Sequence, residues 1–90
     1  MQNELDGKFL LSVYSIIEKN GEPVETEFGQ GYQLENIRVS PGHDGYEVYF
    51  DNGRLQLVLG FHNKWHSTAK NEADLDEFIA VLKRIHQQYR

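Results

Sequence analysis

The chain reads as an α+β fold of order α-β-β-β-α, with two helices packed on one face of a three-stranded antiparallel meander. Three observations predict it. Asn52-Gly53 stands between two alternating apolar/polar runs, a strong hairpin signal. Leu5, Phe9, Val13 and Ile16 recur at helical spacing before that hairpin. Leu75, Phe78, Ile79, Leu82, Ile85 and Tyr89 do so after it.

In chain order, the first helix has its stripe widened by Leu10 and Ile17, and Asn3 or Asp6 is placed to cap its start. Asn20-Gly21 followed by Pro23 ends it. Leu11 and Tyr14 fall off or at the edge of the stripe, so Leu11 is a candidate contact for a second subunit. Gly21–Gly31 reads as a loop rich in turn formers and Glu, with Phe28 as a core anchor. Tyr32–Val39 supplies the first strand, with Ile37 and Val39 on one face. Ser40–Gly45 is a turn sequence leading into the hairpin.

A type I′ turn at Asn52-Gly53 pairs Asp51 with Arg54, Phe50 with Leu55, Val48 with Leu57 and Tyr46 with Leu59. All the apolar residues of the hairpin except Tyr49 and Val58 then share one face. The other face carries Glu47, Tyr49, Asp51, Arg54, Gln56 and Val58. Gly60 marks a bulge or bend, beyond which Phe61 and Trp65 either enlarge a patch or close the end of the core. Asn71 is the expected N-cap of the last helix. Glu72, Asp74, Asp76 and Glu77 crowd its positive end, and Lys83, Arg84, His86 and Arg90 lie toward its negative end. Those charges complement the helix dipole and need no partner.

Composition narrows the function. Ninety residues make one domain spanning 1–90, with a single modest core. With no Cys there is no disulfide framework, thiolate metal site or cysteine nucleophile, which is compatible with a reducing cytosol. The longest apolar runs fall far short of the roughly 20 residues of a membrane span. Met1–Gly7 is acidic, unlike the basic start of a signal peptide. Nine Lys+Arg against 14 Asp+Glu give a net charge of −5, which disfavours nucleic acid and anionic membranes as partners. The element order matches the double-stranded-RNA-binding domain, but the start of the last helix reads AKNEADLDE, with Lys70 its only cation.

Motifs for catalysis are absent: no Gly-rich phosphate loop, no HExxH and no nucleophile elbow. The expectation is a noncatalytic, cofactor-free, cytoplasmic protein. Its interaction surface is predicted at Tyr49, Val58, Glu47, Arg54 and Gln56, with Leu11 as a further contact, for a protein partner or a homodimer. Extending the hairpin register sets His43 opposite His62, a candidate metal- or pH-responsive pair. His66, roughly 13 Å further along a strand, is too distant to share an ion with His62. His86 falls in the last helix's stripe, as expected of a partly buried imidazole. A third reading is an acidic inhibitor in which Glu22, Glu25, Glu27 and Glu35 imitate phosphates.

NELD near the start, GYQL at Gly31–Leu34, DGYEVYFDNG at Asp44–Gly53 and FHNKW at Phe61–Trp65 resemble a family of small uncharacterised proteins from gammaproteobacteria. The resemblance spans most of the chain. It implies a bacterial cytoplasmic protein and brings no established activity.

Overall fold

The computed structural model describes residues 7–26, 29–42, 47–60 and 64–89. Helix α1 (Gly7–Asn20) is followed by strands β1 (Glu22–Thr26), β2 (Gly29–Leu34), β3 (Ile37–Pro41), β4 (Val48–Asp51), β5 (Gln56–Leu59) and β6 (Trp65–Ser67), then by helix α2 (Glu72–Tyr89). The strands form one antiparallel sheet in the order β1-β2-β3-β4-β5-β6, and each pairs with its neighbour in sequence. The α+β class and the two helices on an antiparallel meander agree with the sequence. The meander has six strands rather than three.

The additional strands come from segments without apolar alternation. Gly21–Gly31, expected as a loop, contains β1 and the start of β2, which pair from Glu22↔Gln33 to Thr26↔Gly29. Tyr32–Val39, expected as one strand, is a hairpin instead. Leu34 pairs with Ile37, and Glu35 (φ 58°) takes the left-handed conformation a tight turn demands. Gln33 Nε2 donates to the Glu35 carbonyl, and Arg84 of α2 pairs with the Glu35 carboxylate, so both ends of that residue are held. Beyond Gly60, whose N–H donates to the Lys64 carbonyl, β6 returns along β5.

The β4–β5 hairpin differs from the type I′ expectation in an instructive way. Asp51 pairs with Gln56, not Arg54, and the loop holds Asn52 to Leu55. Two short side chains close it: Asp51 Oδ1 accepts from the Gly53 N–H, and Asn52 Oδ1 accepts from the Arg54 and Leu55 N–H groups. Gly53 (φ 89°) supplies the left-handed position, and Leu55 turns inward at 4% exposure. The register is shifted by two residues. Two is the side-chain period of a strand, so both faces survive as expected.

The core lies between that sheet and the helices. Leu10, Val13, Ile16 and Ile17 of α1 meet Phe78, Leu82 and Ile85 of α2 over Ile37, Val39, Phe50, Leu57 and Leu59. Burying a Phe or Leu side chain contributes roughly 1.5–3 kcal/mol, so this layer dominates stability. Tyr14 belongs to it, its ring edge-on to Phe50 at 6.3 Å between centroids. Burial, then the Glu18 carboxylate, then Tyr32, push the Tyr14 phenol above its ordinary value of 10.0. Trp65 packs against the core, in keeping with closure of its end, whereas Phe61 lies outside the described residues. Phe28 and the capping residues Asn3 and Asp6 lie outside them too.

The helix ends follow their sequence signals. Asn20 Nδ2 donates to the Ile16 carbonyl at 2.9 Å and the Gly21 N–H to that of Ile17 at 2.7 Å, stopping α1. Asn71 Oδ1 accepts from the Asp74 N–H at 2.9 Å, the N-cap bond expected at the start of α2. His86 is half-buried with its ring 5.2 Å from that of Phe9. Among the described residues, no helix is long and apolar enough to cross a membrane.

Candidate functional site

On the sheet face turned from the helices, cross-strand partners line up in rows. One row runs through Gln33, Arg38, Asp51 and Gln56, and its neighbour through Ser40, Tyr49, Val58 and His66. The tip of β1 joins them. Glu25, Thr26, Arg38, Ser40, Tyr49, Asp51 and Gln56 together line a cleft of about 220 Å³.

Gly31 is what lets β1 reach it. The β2–β3 pairing stops at Tyr32↔Val39, and a Cβ at Gly31 would stand 2.2 Å from the Val39 carbonyl oxygen and 3.1 Å from both Ser40 Cβ and Thr26 Cγ2. No side chain fits there. The backbone of β2 therefore lies hard against β3 at Gly31, and the β1 end borders the cleft.

Every residue lining the cleft carries a hydrogen-bonding group. Arg38 Nη2 and Asp51 Oδ2 lie 3.5 Å apart, both half-exposed. Ser40, at 3% exposure, is buried in the sheet beside them. The Tyr49 hydroxyl donates to Glu47 Oε1 at 3.1 Å, and the Thr26 hydroxyl donates to the Gly29 carbonyl at 2.7 Å. Two carboxylates (Glu25, Asp51) against one guanidinium (Arg38) leave the lining one unit negative.

The residues predicted as a surface divide. Tyr49 and Gln56 line the cleft, and Glu47 is bound to Tyr49. Val58, expected to be exposed, is 5% exposed. In a three-stranded meander β5 would be an edge, but here β6 adds a second neighbour, so Tyr49 and His66 flank Val58 on both sides. Arg54 is displaced into the loop, where its exposed guanidinium stands 4.0 Å from Glu77 of α2. Leu11 is 50% exposed on α1, in the helix layer, apart from this face. His43 and His62 lie outside the described residues.

Arg38 was legible, since it lies between Ile37 and Val39 in the alternation, whereas Ser40, expected to open the turn Ser40–Gly45, belongs to β3. Asp51 was assigned to Arg54 instead. Glu25 and Thr26 sat in a segment with no strand signal. A second concavity, at the end of α1, is lined by Glu35, Asn20 and Gln33 among others. These three are already engaged by Arg84, the Ile16 carbonyl and the Glu35 carbonyl, leaving less to offer a ligand.

The family model for proteins of unknown function, DUF3081, matches residues 5–90. The chain belongs to that family. No curated protein and no solved structure matches it significantly. The functional argument therefore rests on the residues themselves.

Proposed function

We propose that the chain is a noncatalytic interaction domain of the bacterial cytosol that meets a protein partner, or a second copy of itself, with the polar face of its sheet. One observation carries this reading: side chains from four strands, each with a hydrogen-bonding group, converge on an open cleft opposite the helices. Such a surface suits a moderately polar, reversible protein contact. Neither nucleic acid nor a membrane is proposed as partner, given the net charge of −5.

Sedimentation equilibrium of the native protein and of Tyr49→Glu tests the reading. A dimer or captured complex that dissociates in the variant is expected. A monomer unaffected by the change, with no partner captured, overturns it. The alternatives have less behind them. A zinc or pH site at His43 and His62 would show itself as saturable Zn²⁺ binding in a calorimeter. Phosphate mimicry fits poorly with Glu35 tied to Arg84 and with Glu22 and Glu25 at strand positions of opposite parity.

A further inference from the structure

We propose that Asn52 is a site of spontaneous covalent modification, at which the Gly53 backbone nitrogen closes a succinimide ring on the Asn52 side chain. This goes beyond the interaction reading and does not depend on it. In the reaction the Gly53 N–H gives up its proton, the nitrogen bonds to Asn52 Cγ, and the Cγ–Nδ2 bond breaks to release ammonia. Water then opens the ring to aspartate or isoaspartate. Glycine in the following position, lacking Cβ, obstructs that approach least. Two dipeptides of the chain meet this requirement, Asn20-Gly21 and Asn52-Gly53. The fold treats them differently.

In the β4–β5 loop the groups that must react are already assisted. Asp51 Oδ1 accepts from the Gly53 N–H, so a base stands on the proton that has to leave. Asn52 Oδ1 accepts from the Arg54 and Leu55 N–H groups at 2.8 and 3.0 Å. The same two donors stabilise the negative charge that builds on this oxygen as the nitrogen attacks. Among the described residues no hydrogen bond holds Asn52 Nδ2, the leaving nitrogen. At the end of α1 the corresponding groups are tied down. The Gly21 N–H donates to the Ile17 carbonyl at 2.7 Å, an acceptor too weakly basic to take the proton away. Asn20 Nδ2 donates to the Ile16 carbonyl at 2.9 Å, which pins the leaving group. Gly21 is also wedged in place, since a Cβ there would stand 2.4 Å from the Gln33 carbonyl oxygen. Conversion at Asn52 adds a negative charge to the net −5, in the loop next to Asp51 of the cleft lining.

The test is peptide mapping by mass spectrometry after the full chain has been incubated at mildly alkaline pH, native and in urea. Unfolded, both asparagines should convert at similar rates. In the native chain Asn52 should convert at least about tenfold faster than Asn20. Its product should contain isoaspartate as well as aspartate, because the ring opens on either side. Asp51→Ala, its fold checked by melting, should slow conversion at Asn52 about tenfold and leave Asn20 unchanged. Equal native rates at the two sites, or a faster Asn20, overturn the proposal. So does an Asn52 that stays intact in the native chain while the unfolded chain converts. Aspartate without isoaspartate overturns it too, since direct hydrolysis forms no ring, as does an undiminished rate in Asp51→Ala.

Discussion

The same four strands present two faces of opposite character. Toward the helices, Tyr32, Val39, Phe50 and Leu57 run across β2 to β5. Toward solvent, Gln33, Arg38, Asp51 and Gln56 run across the same strands, displaced by one residue. The first row is closed by helices, with Val39, Phe50 and Leu57 at 1% exposure or less. The second holds a half-exposed ion pair and a cleft. Folding energy is concentrated on one side, which leaves the polar side free to be shaped by contact. Each prediction below either breaks that division or sharpens it.

The largest effect belongs to Phe50→Ala. Phe50 is fully buried and is the ring against which Tyr14 sets its edge. A loss of about 3–5 kcal/mol in urea unfolding is expected, from lost transfer energy and the cavity left behind. A loss below about 1 kcal/mol would mean that the helix face is not where stability resides.

Gly31→Ala comes next and strikes the hinge between the faces. Its Cβ would meet the Val39 carbonyl at 2.2 Å, a backbone atom with no freedom to rotate away. A loss of about 1–3 kcal/mol is expected, together with amide shifts confined to β1–β3 as the β1 end lifts from the cleft. Unchanged stability and spectra would show that the close approach does not depend on the missing side chain.

A smaller effect appears in alkali. The Tyr14 phenol is held above 10.0 in the folded chain, so the native state keeps a proton that the unfolded state releases. Its contribution is complete below the unfolded value of 10.0 and is lost as pH rises through the higher folded value. Tyr14→Phe should flatten the decline in stability above pH 10.0, measured as urea midpoint against pH, without altering it near neutrality. An unaltered decline in the variant would sink this assignment.

The division between faces also explains how much was legible in the sequence. The two helices, the Asn71 cap and the inward set Val48, Phe50, Leu57 and Leu59 follow from apolar periodicity, which records burial against a core. Periodicity is also indifferent to a slip of two residues. Hence the β4–β5 faces were right while the Asp51–Arg54 pair was not, because the side chains of Asp51 and Asn52 favour the longer loop. Strands β1 and β6 gain their order from backbone pairing more than from a buried face, so Glu22, Pro23 and Glu25 gave no strand pattern. The cleft suffered accordingly: its β3 side was implied only by Arg38, since Ser40 reads as a turn residue, and its β1 side was invisible.

The smallest effect is the most discriminating test of the polar face. Arg38 and Asp51 are cross-strand partners 3.5 Å apart with side chains 41% and 35% exposed. Water screens such a pair, and the entropy of fixing a long guanidinium offsets much of the attraction. Asp51→Asn keeps an Oδ1 that can accept from the Gly53 N–H but removes the charge that strengthens that bond, so the single variant overstates the pair. A double-mutant cycle with Arg38→Gln removes that contribution and should return a coupling of about 0.2–1 kcal/mol. High salt should reduce it further. A coupling above about 2 kcal/mol that resists salt would make the pair a structural clamp. The polar face would then be part of what holds the sheet together, and the cleft beside it a by-product of folding.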